Sequence, residues 1–539
     1  MTFLKNIKLI LFLGLFAFSV RGQTPSNYSN PILAGFHPDP SVCRVGDDYY
    51  LVNSSFEWFP GLPVYHSKDL VNWELIGYGI TRADQVPLPE GLPDSRVEYA
   101  PSIRYHDGLF YIINTCVSCE GNFYITATDP AGPWSDPVWL RSRGIDPDLF
   151  WDDDGRCYYV GHANITGVRD WPNKNGAWMQ QLDLEKKKLV GERVQLTHGH
   201  AANARWTEGP HLYKINGKYI LMVAEGGTGF HHAITVHYSD SLWGPYIPNH
   251  ANPVLSHRHL GYDYPIHLVG HGDLIQTQNG EWWCTMLAKR KVDGYSLLAR
   301  ETFLTPVEFQ EQEGQHTPVF NKGHGKLLSE QKRPDLPWSP IEKPEPKDEF
   351  ESDKLALYWN MLRSPTSNWY KLNQGKLELK LRPEVVDSFV NPSLFMQRIE
   401  HHEFIASTLL DFQSAKPSEQ AGLIIYRKSS NHYQLMKSGN DVVLIKSSNG
   451  QRQEIAREKW SNNQVFFKVE AKGLDARFYY GASETTLKSI GGVQNLSVIA
   501  DEEAGGFNGP GIGMYATSNG QASKTVAKFD WFEYKGKSK

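Results

Sequence analysis

A chain of 539 residues that is 40% hydrophobic and 12% aromatic carries apolar material for two or more sheet-rich globular domains, which argues against disorder. Its net charge of −5 gives no electrostatic case for nucleic acid or an anionic membrane as a partner. The 16 Trp and 26 Tyr suit stacking on sugar rings wherever they are exposed, although most are expected in the core.

Residues 1–22 hold Lys5 and Lys8, an apolar run over 9–20, and then Arg21-Gly22. A largely apolar run of twelve residues is too short to span a bilayer, so the segment reads as a cleaved secretory signal. The first cysteine is Cys43, which removes the case for a lipid-anchored mature N-terminus, and no later stretch is long and apolar enough to cross a membrane. An exported protein is expected, periplasmic in a Gram-negative bacterium and otherwise extracellular.

From residue 35 the chain repeats one unit. GFHPDPSVCRVGDDYYLVNSS (35–55) sets Asp39 ahead of an apolar strand, a polar turn at 46–48 and an aromatic strand, the grammar of a β-hairpin with a carboxylate at its entrance. Four further copies begin at Tyr99, Asp146, Glu208 and His271, each with a glycine nine residues on (Gly108, Gly155, Gly217, Gly280) and an aromatic strand behind it. Separations of 60, 47, 62 and 63 residues leave room for four-stranded blades with decorated loops, so five copies predict a five-bladed β-propeller over 27–328. Turn signals at 67–75, 129–137 and 239–248 mark the outer strands.

Equivalent entrance residues of a propeller converge near its axis, and three of these five are acids. Like charges gathered without counter-ions raise one another's pKa, so a purely structural repeat has no reason to collect them. Turn capping is the plainer explanation for any single Asp, and a weak one for three acids at one register.

Of the five cysteines, Cys43, Cys157 and Cys284 fall inside predicted strands and read as buried small hydrophobes. Cys116 and Cys119 form an isolated C-x-x-C, for which a local disulfide is preferred to a zinc site lacking further ligands. Residues 329–347, with prolines at 334, 337, 340, 344 and 346, read as an extended linker. Beyond it, 348–539 alternates with period two: Leu377, Leu379 and Leu381 share one face, as do Phe467, Val469 and Ala471. Further strands at 477–481 and 529–534 complete the expectation of an antiparallel β-sandwich that supports the propeller, with carbohydrate binding as its alternative role.

An exported propeller with three acids at its mouth fits glycosidic bond hydrolysis, in which one carboxylic acid protonates the leaving oxygen and one carboxylate activates water. A third acid separates the two pKa values, because its charge raises that of the proton donor.

The motifs NPILAGFHPDPS (30–41), SSFEWFPGLPVYHSKDLVNW (54–73), GIDPDLFWDDDG (144–155), RWTEGPHLYK (205–214), AEGGT (224–228), GHGDLIQT (270–277) and ARETF (299–303) resemble glycoside hydrolase family 43, in its two-domain β-xylosidase and α-L-arabinofuranosidase branch. The resemblance implies a propeller followed by a concanavalin-like jelly roll. It makes Asp39 the general base, Glu208 the general acid, and Asp146 the acid that orients Glu208 and raises its pKa. It implies inversion, with carboxylates about 6.5–9.5 Å apart to admit a water. Arg300 matches an arginine that holds the terminal sugar, and Phe56, Tyr99, Thr228 and His271 fall in the same pocket. In some members a histidine at the place of His271 ligates calcium, with a buried structural histidine as the alternative reading. No cofactor is otherwise expected.

Three further features bear on specificity. Tyr99-Ala100-Pro101 stands where the family usually has Trp-Ala-Pro, and 81–98 departs from the β-xylosidase pattern. Asp148 adds a fourth carboxylate, facing either the channel or a turn. In 505–516 five glycines surround Phe507, and glycine-rich backbone can approach another surface closely, so this loop is expected to bring Phe507 to the edge of the pocket, against the alternative of a core-packed ring. The expected activity is exo-release of β-D-xylose or α-L-arabinofuranose from plant cell-wall oligosaccharides. An exo-β-galactosidase is the alternative within the same chemistry, and a non-catalytic sugar-binding propeller the alternative outside it.

Overall fold

The computed structural model of the protein describes residues 24–312, 314–414 and 416–537. The expected signal at 1–22 lies outside the described residues.

Five antiparallel sheets follow one another in chain order, and each begins on one of the predicted hairpins. Their first strands are Ser41–Val45, Ser102–His106, Ile145–Trp151, Glu208–Ile215 and Ile266–Gln276, and each packs against the first strands of its neighbours, closing a ring. This is a five-bladed propeller. The hairpin turns follow from their residues. Asp107-Gly108 and Asn216-Gly217 both hold positive φ (47° and 80°, 50° and 78°), the two-residue turn whose twist matches that of its strands.

Among the described residues, no strand is exchanged to close the ring. Instead the N-terminal segment is bonded to blade five: Asn30 Nδ2 donates to the Leu304 carbonyl (2.9 Å), the Leu304 amide donates to Asn30 Oδ1 (3.0 Å), and the Gly35 amide donates to Glu301 (2.8 Å). Asn27–Ser29 then pairs with Glu330–Lys332, and Leu336 is buried on Tyr28, Tyr49 and Trp283. The proline-rich segment is thus laid along the propeller surface, where the Ser339 amide also reaches Asp69 (2.9 Å).

The second half of the chain is a sandwich of two antiparallel sheets. One is built around Val526–Gly536, Glu403–Asp411 and Gln464–Lys472, and the other around Gly511–Thr517, Gln420–Lys428 and Asn431–Ser438. Leu377, Leu379, Leu381, Phe467, Val469 and Ala471 are buried between them as the alternation requires. The two halves share a core: Met361–Leu362 pairs as a strand with Trp58–Phe59, and Phe36, Phe56, Trp58 and Tyr99 pack with Leu394, Met396, Ile424 and Tyr426 of the sandwich.

Cys116 and Cys119 are disulfide-bonded, and Cys43, Cys157 and Cys284 are buried free thiols. Among the described residues, no helix is long and apolar enough to cross a membrane.

Candidate active site

At the mouth of the ring lies an open pocket of about 470 Å³. Its lining includes Asp39, Asp146, Glu208, His271, Arg300, Phe56, Tyr99, Thr228 and Phe507, the candidate catalytic and sugar-binding residues of the sequence.

The backbone explains how. Asp39, Asp146 and His271 have φ of 52°, 52° and 49°, left-handed conformations that Asp and His tolerate better than most residues. Asp39 precedes its inner strand, and Asp146 and His271 sit at register shifts within theirs. In blade four the left-handed residue is Gly209 (φ 55°), one place after Glu208. A Cβ on Gly209 would lie 3.1 Å from the His271 ring, so glycine lets the histidine seat against the backbone.

Asp39 is buried and ion-paired: Arg300 Nη1 donates to its Oδ1 at 2.6 Å, and Ser54 Oγ donates to its Oδ2 at 2.6 Å. Asp146 accepts the Gly209 amide at 3.1 Å. Burial, and then the charge of Asp39, push the Asp146 carboxyl up to about 7, with the Gly209 bond and Arg300 acting the other way. Glu208 is held well above the usual carboxylate range, first by burial and then by Asp146 and Asp39. Among the described residues no group hydrogen-bonds its carboxyl. The three acids are therefore not equivalent. One is paired with a cation, and the other two are held above the usual carboxylate range.

Phe56, Tyr99 and Phe507 form one wall. Phe507 lies parallel to Phe56 (6.0 Å between centroids, 19°) and edge-on to Tyr99 (5.7 Å, 72°), while the Arg300 guanidinium lies over both phenyl rings at 5.4 and 5.5 Å. Arg300 Nη2 also donates to the Phe507 carbonyl (3.0 Å). At 37% exposed, Phe507 is not core-packed, and the glycine-rich loop of the sandwich delivers it across the domain boundary.

On another side, Trp206 is 39% exposed and packs on Gly227, where a Cβ would lie 3.0 Å from its ring. The sequence reading missed Trp206. Its signal was its position two residues before Glu208, ahead of the strand, where no core face claims an aromatic side chain.

Asp148 faces the channel. It accepts Arg104 Nη2 at 2.7 Å and bonds His211 Nδ1 at 2.8 Å, while Arg104 Nη1 reaches Asp273 Oδ2 at 2.8 Å. Ser41 Oγ and Tyr213 Oη donate to Asp273 at 2.7 and 2.6 Å. Every blade thus contributes to a network on the axis, through Ser41, Arg104, Asp148, His211 with Tyr213, and Asp273. Burial alone would raise Asp273, yet Arg104 and His211 hold it far below the usual carboxylate range.

This network also bears on calcium, which seeks six to eight oxygen ligands. Burial lowers His271 to about 4, so it offers one neutral imidazole nitrogen. Asp39, 3.9 Å from that ring, is committed to Arg300 and Ser54, and Asp273 to Arg104. Among the described residues no cluster of three or more His, Cys, Asp or Glu side chains is disposed to hold a metal ion. These side chains do not fit a calcium site.

Propeller, sandwich and a pocket of three dissimilar carboxyls define a glycosidase. Residues 28–332 match the model of glycosyl hydrolases family 43, and 347–535 match the β-xylosidase C-terminal concanavalin A-like domain. The chain belongs to glycosyl hydrolases family 43. It is 42% identical to a xylosidase/arabinosidase of Butyrivibrio fibrisolvens (94% of this chain and 98% of that one) and 36% identical to a non-reducing end α-L-arabinofuranosidase of Bacteroides ovatus (98% of each). Among solved structures, a xylan β-1,4-xylosidase from Bacillus halodurans superposes with a TM-score of 0.89 at 34% identity, covering 94% of this chain and all of that one.

Proposed function

We propose that the protein is an exo-acting, inverting glycosidase that releases one terminal pentose, β-D-xylose or α-L-arabinofuranose, from plant cell-wall oligosaccharides. The observation that carries this reading is the electrostatic inequality of three carboxyls in one pocket. Inverting hydrolysis needs a proton donor on the leaving oxygen and an ionised carboxylate on a water at the opposite face of the sugar. Glu208, held well above the usual carboxylate range and without a hydrogen-bonding partner among the described residues, suits the donor. Asp39, ion-paired with Arg300, suits the base. Asp146, once ionised above about 7, supplies charge that keeps the donor protonated, and Arg300 with the aromatic wall holds the terminal sugar. His271 is read as a neutral side chain of the pocket floor, and no step is assigned to a metal.

The relatives named for xylose and for arabinose support a pentose. A panel of aryl β-D-xylosides, α-L-arabinofuranosides and β-D-galactosides tests it. Turnover of either pentoside with inversion, followed by NMR at early times, is the expected result. Preference for the galactoside, or retained configuration, would overturn the reading, and no turnover of any member would favour a sugar-binding role. We further propose export directed by residues 1–22. N-terminal sequencing of protein from the periplasm or medium should begin after that segment, and protein confined to the cytosol with Met1 intact would refute it.

A further inference from the structure

Glu57 and Asn508 directly follow two aromatics of the pocket wall, Phe56 and Phe507, and they come from different domains. Asn508 Nδ2 donates to Glu57 Oε1. The Ser95 amide donates to Glu57 Oε2 at 2.8 Å, Ser95 Oγ accepts the Phe507 amide at 2.9 Å, and the Ser95 carbonyl accepts the Tyr99 hydroxyl at 2.9 Å. Two side chains, Glu57 and Ser95, therefore tie together the segments that carry all three rings. Glu57 and Asn508 are each 1% exposed and Ser95 is 5% exposed, so water cannot readily replace these bonds.

The sandwich also grips the same segment from behind. Asp94 accepts Arg363 Nη2 at 3.0 Å and the Ser429 amide at 2.9 Å, and the Arg363 amide donates to the Glu57 carbonyl at 2.6 Å. None of Glu57, Asp94, Ser95 or Asn508 lines the pocket.

We propose that Glu57, Ser95 and Asn508 form an interdomain clasp that sets the position of the Phe56–Tyr99–Phe507 wall, so that the fit of the terminal sugar depends on docking of the sandwich. The proposal rests on the reading of the pocket as a glycosidase site, and it makes these three positioning residues. The stretch 81–98, which contains Ser95, is also where the sequence departs from the β-xylosidase pattern. The clasp gives that departure a consequence for the sugar pocket.

Ser95→Gly is the decisive variant. Ser95 has φ 60°, which glycine adopts without strain, so the substitution removes the hydroxyl that holds Phe507 without strain of its own. An aromatic contact is worth about 0.5–1.5 kcal/mol, so KM for the aryl glycoside that the wild type cleaves should rise about two- to tenfold. The melting temperature should stay within about 2 °C. Asn508→Asp sets a carboxylate against Glu57 and should raise KM as well. The double variant Glu57→Gln/Asn508→Asp reverses donor and acceptor and should bring KM back toward the wild-type value, a rescue that a merely structural role does not predict. If Asn508→Asp does not fold, Ser95→Gly decides alone. A wild-type KM in Ser95→Gly overturns the clasp, and so does a double variant no better than Asn508→Asp. Failure of the pentose reading looks different: the wild type itself turns over no pentoside, and the same comparison is then made on the glycoside it does cleave.

Discussion

Glu208 and Asp146 owe their chemistry to place rather than to residue type. Both are carboxyls that burial pushes upward; the charge of Asp39 raises each further, and that of Asp146 also raises Glu208. A proton donor works only while protonated, so catalysis should decline as pH rises through the pKa of Glu208. Asp146→Asn removes one of the charges that hold that pKa up. The basic limb of the pH profile for kcat/KM should therefore move to lower pH, and an unmoved limb would mean that Asp146 only orients its neighbours. These acids were legible in the sequence because a repeat register singled them out. Arg104 was not. Its partners Asp148 and Asp273 sit two places after the entrance in repeats three and five, a coincidence that gains meaning only once the axis is seen to bring five strands together.

Among the elements, the inner strands and the glycine-rich loop do separate jobs. The inner strands place their entrance residues at the pocket and the residues just inside them on the Arg104 network. Arg104→Met would leave Asp148 and Asp273 buried without their cation, and unfolding measurements should show a loss of about 3–5 kcal/mol. Adding Asp148→Asn should recover part of it. The loop at 505–516 places one ring at the pocket, and that ring is partly exposed. Phe507→Ala should therefore raise KM or lower kcat at an unchanged melting temperature, whereas wild-type kinetics would remove the loop from the site. Hairpins, strands and the reaching loop could be read from turn residues, alternation and glycine content, because those are local signals. The bonds of Ser95 to Phe507 and of Asn508 to Glu57 span 412 and 451 residues, and no local pattern specifies such pairings.

Across the whole molecule, pocket and domain interface are continuous. Phe56 and Tyr99 line the pocket and also belong to the core shared with Leu394, Met396 and Ile424 of the sandwich. The strand pair between Trp58–Phe59 and Met361–Leu362 crosses the same boundary. A propeller ending near Glu342 would expose this apolar face and lose Phe507 at once. It should aggregate or lack activity when followed by size-exclusion chromatography and a glycoside assay. A monodisperse, fully active propeller would contradict the dependence on the sandwich.

In the proposed mechanism five repeats bring together a base, a modulator and a proton donor, with Glu208 as the donor. The direct measurement compares Glu208→Gln on two glycosides of the same sugar, one with an alkyl or sugar leaving group that needs protonation and one with an activated aryl leaving group that does not. Hydrolysis of the first should be abolished while the second is largely spared. Asp39→Asn should lose both, because water must be activated in either case. Equal loss of the two substrates in Glu208→Gln would contradict the account.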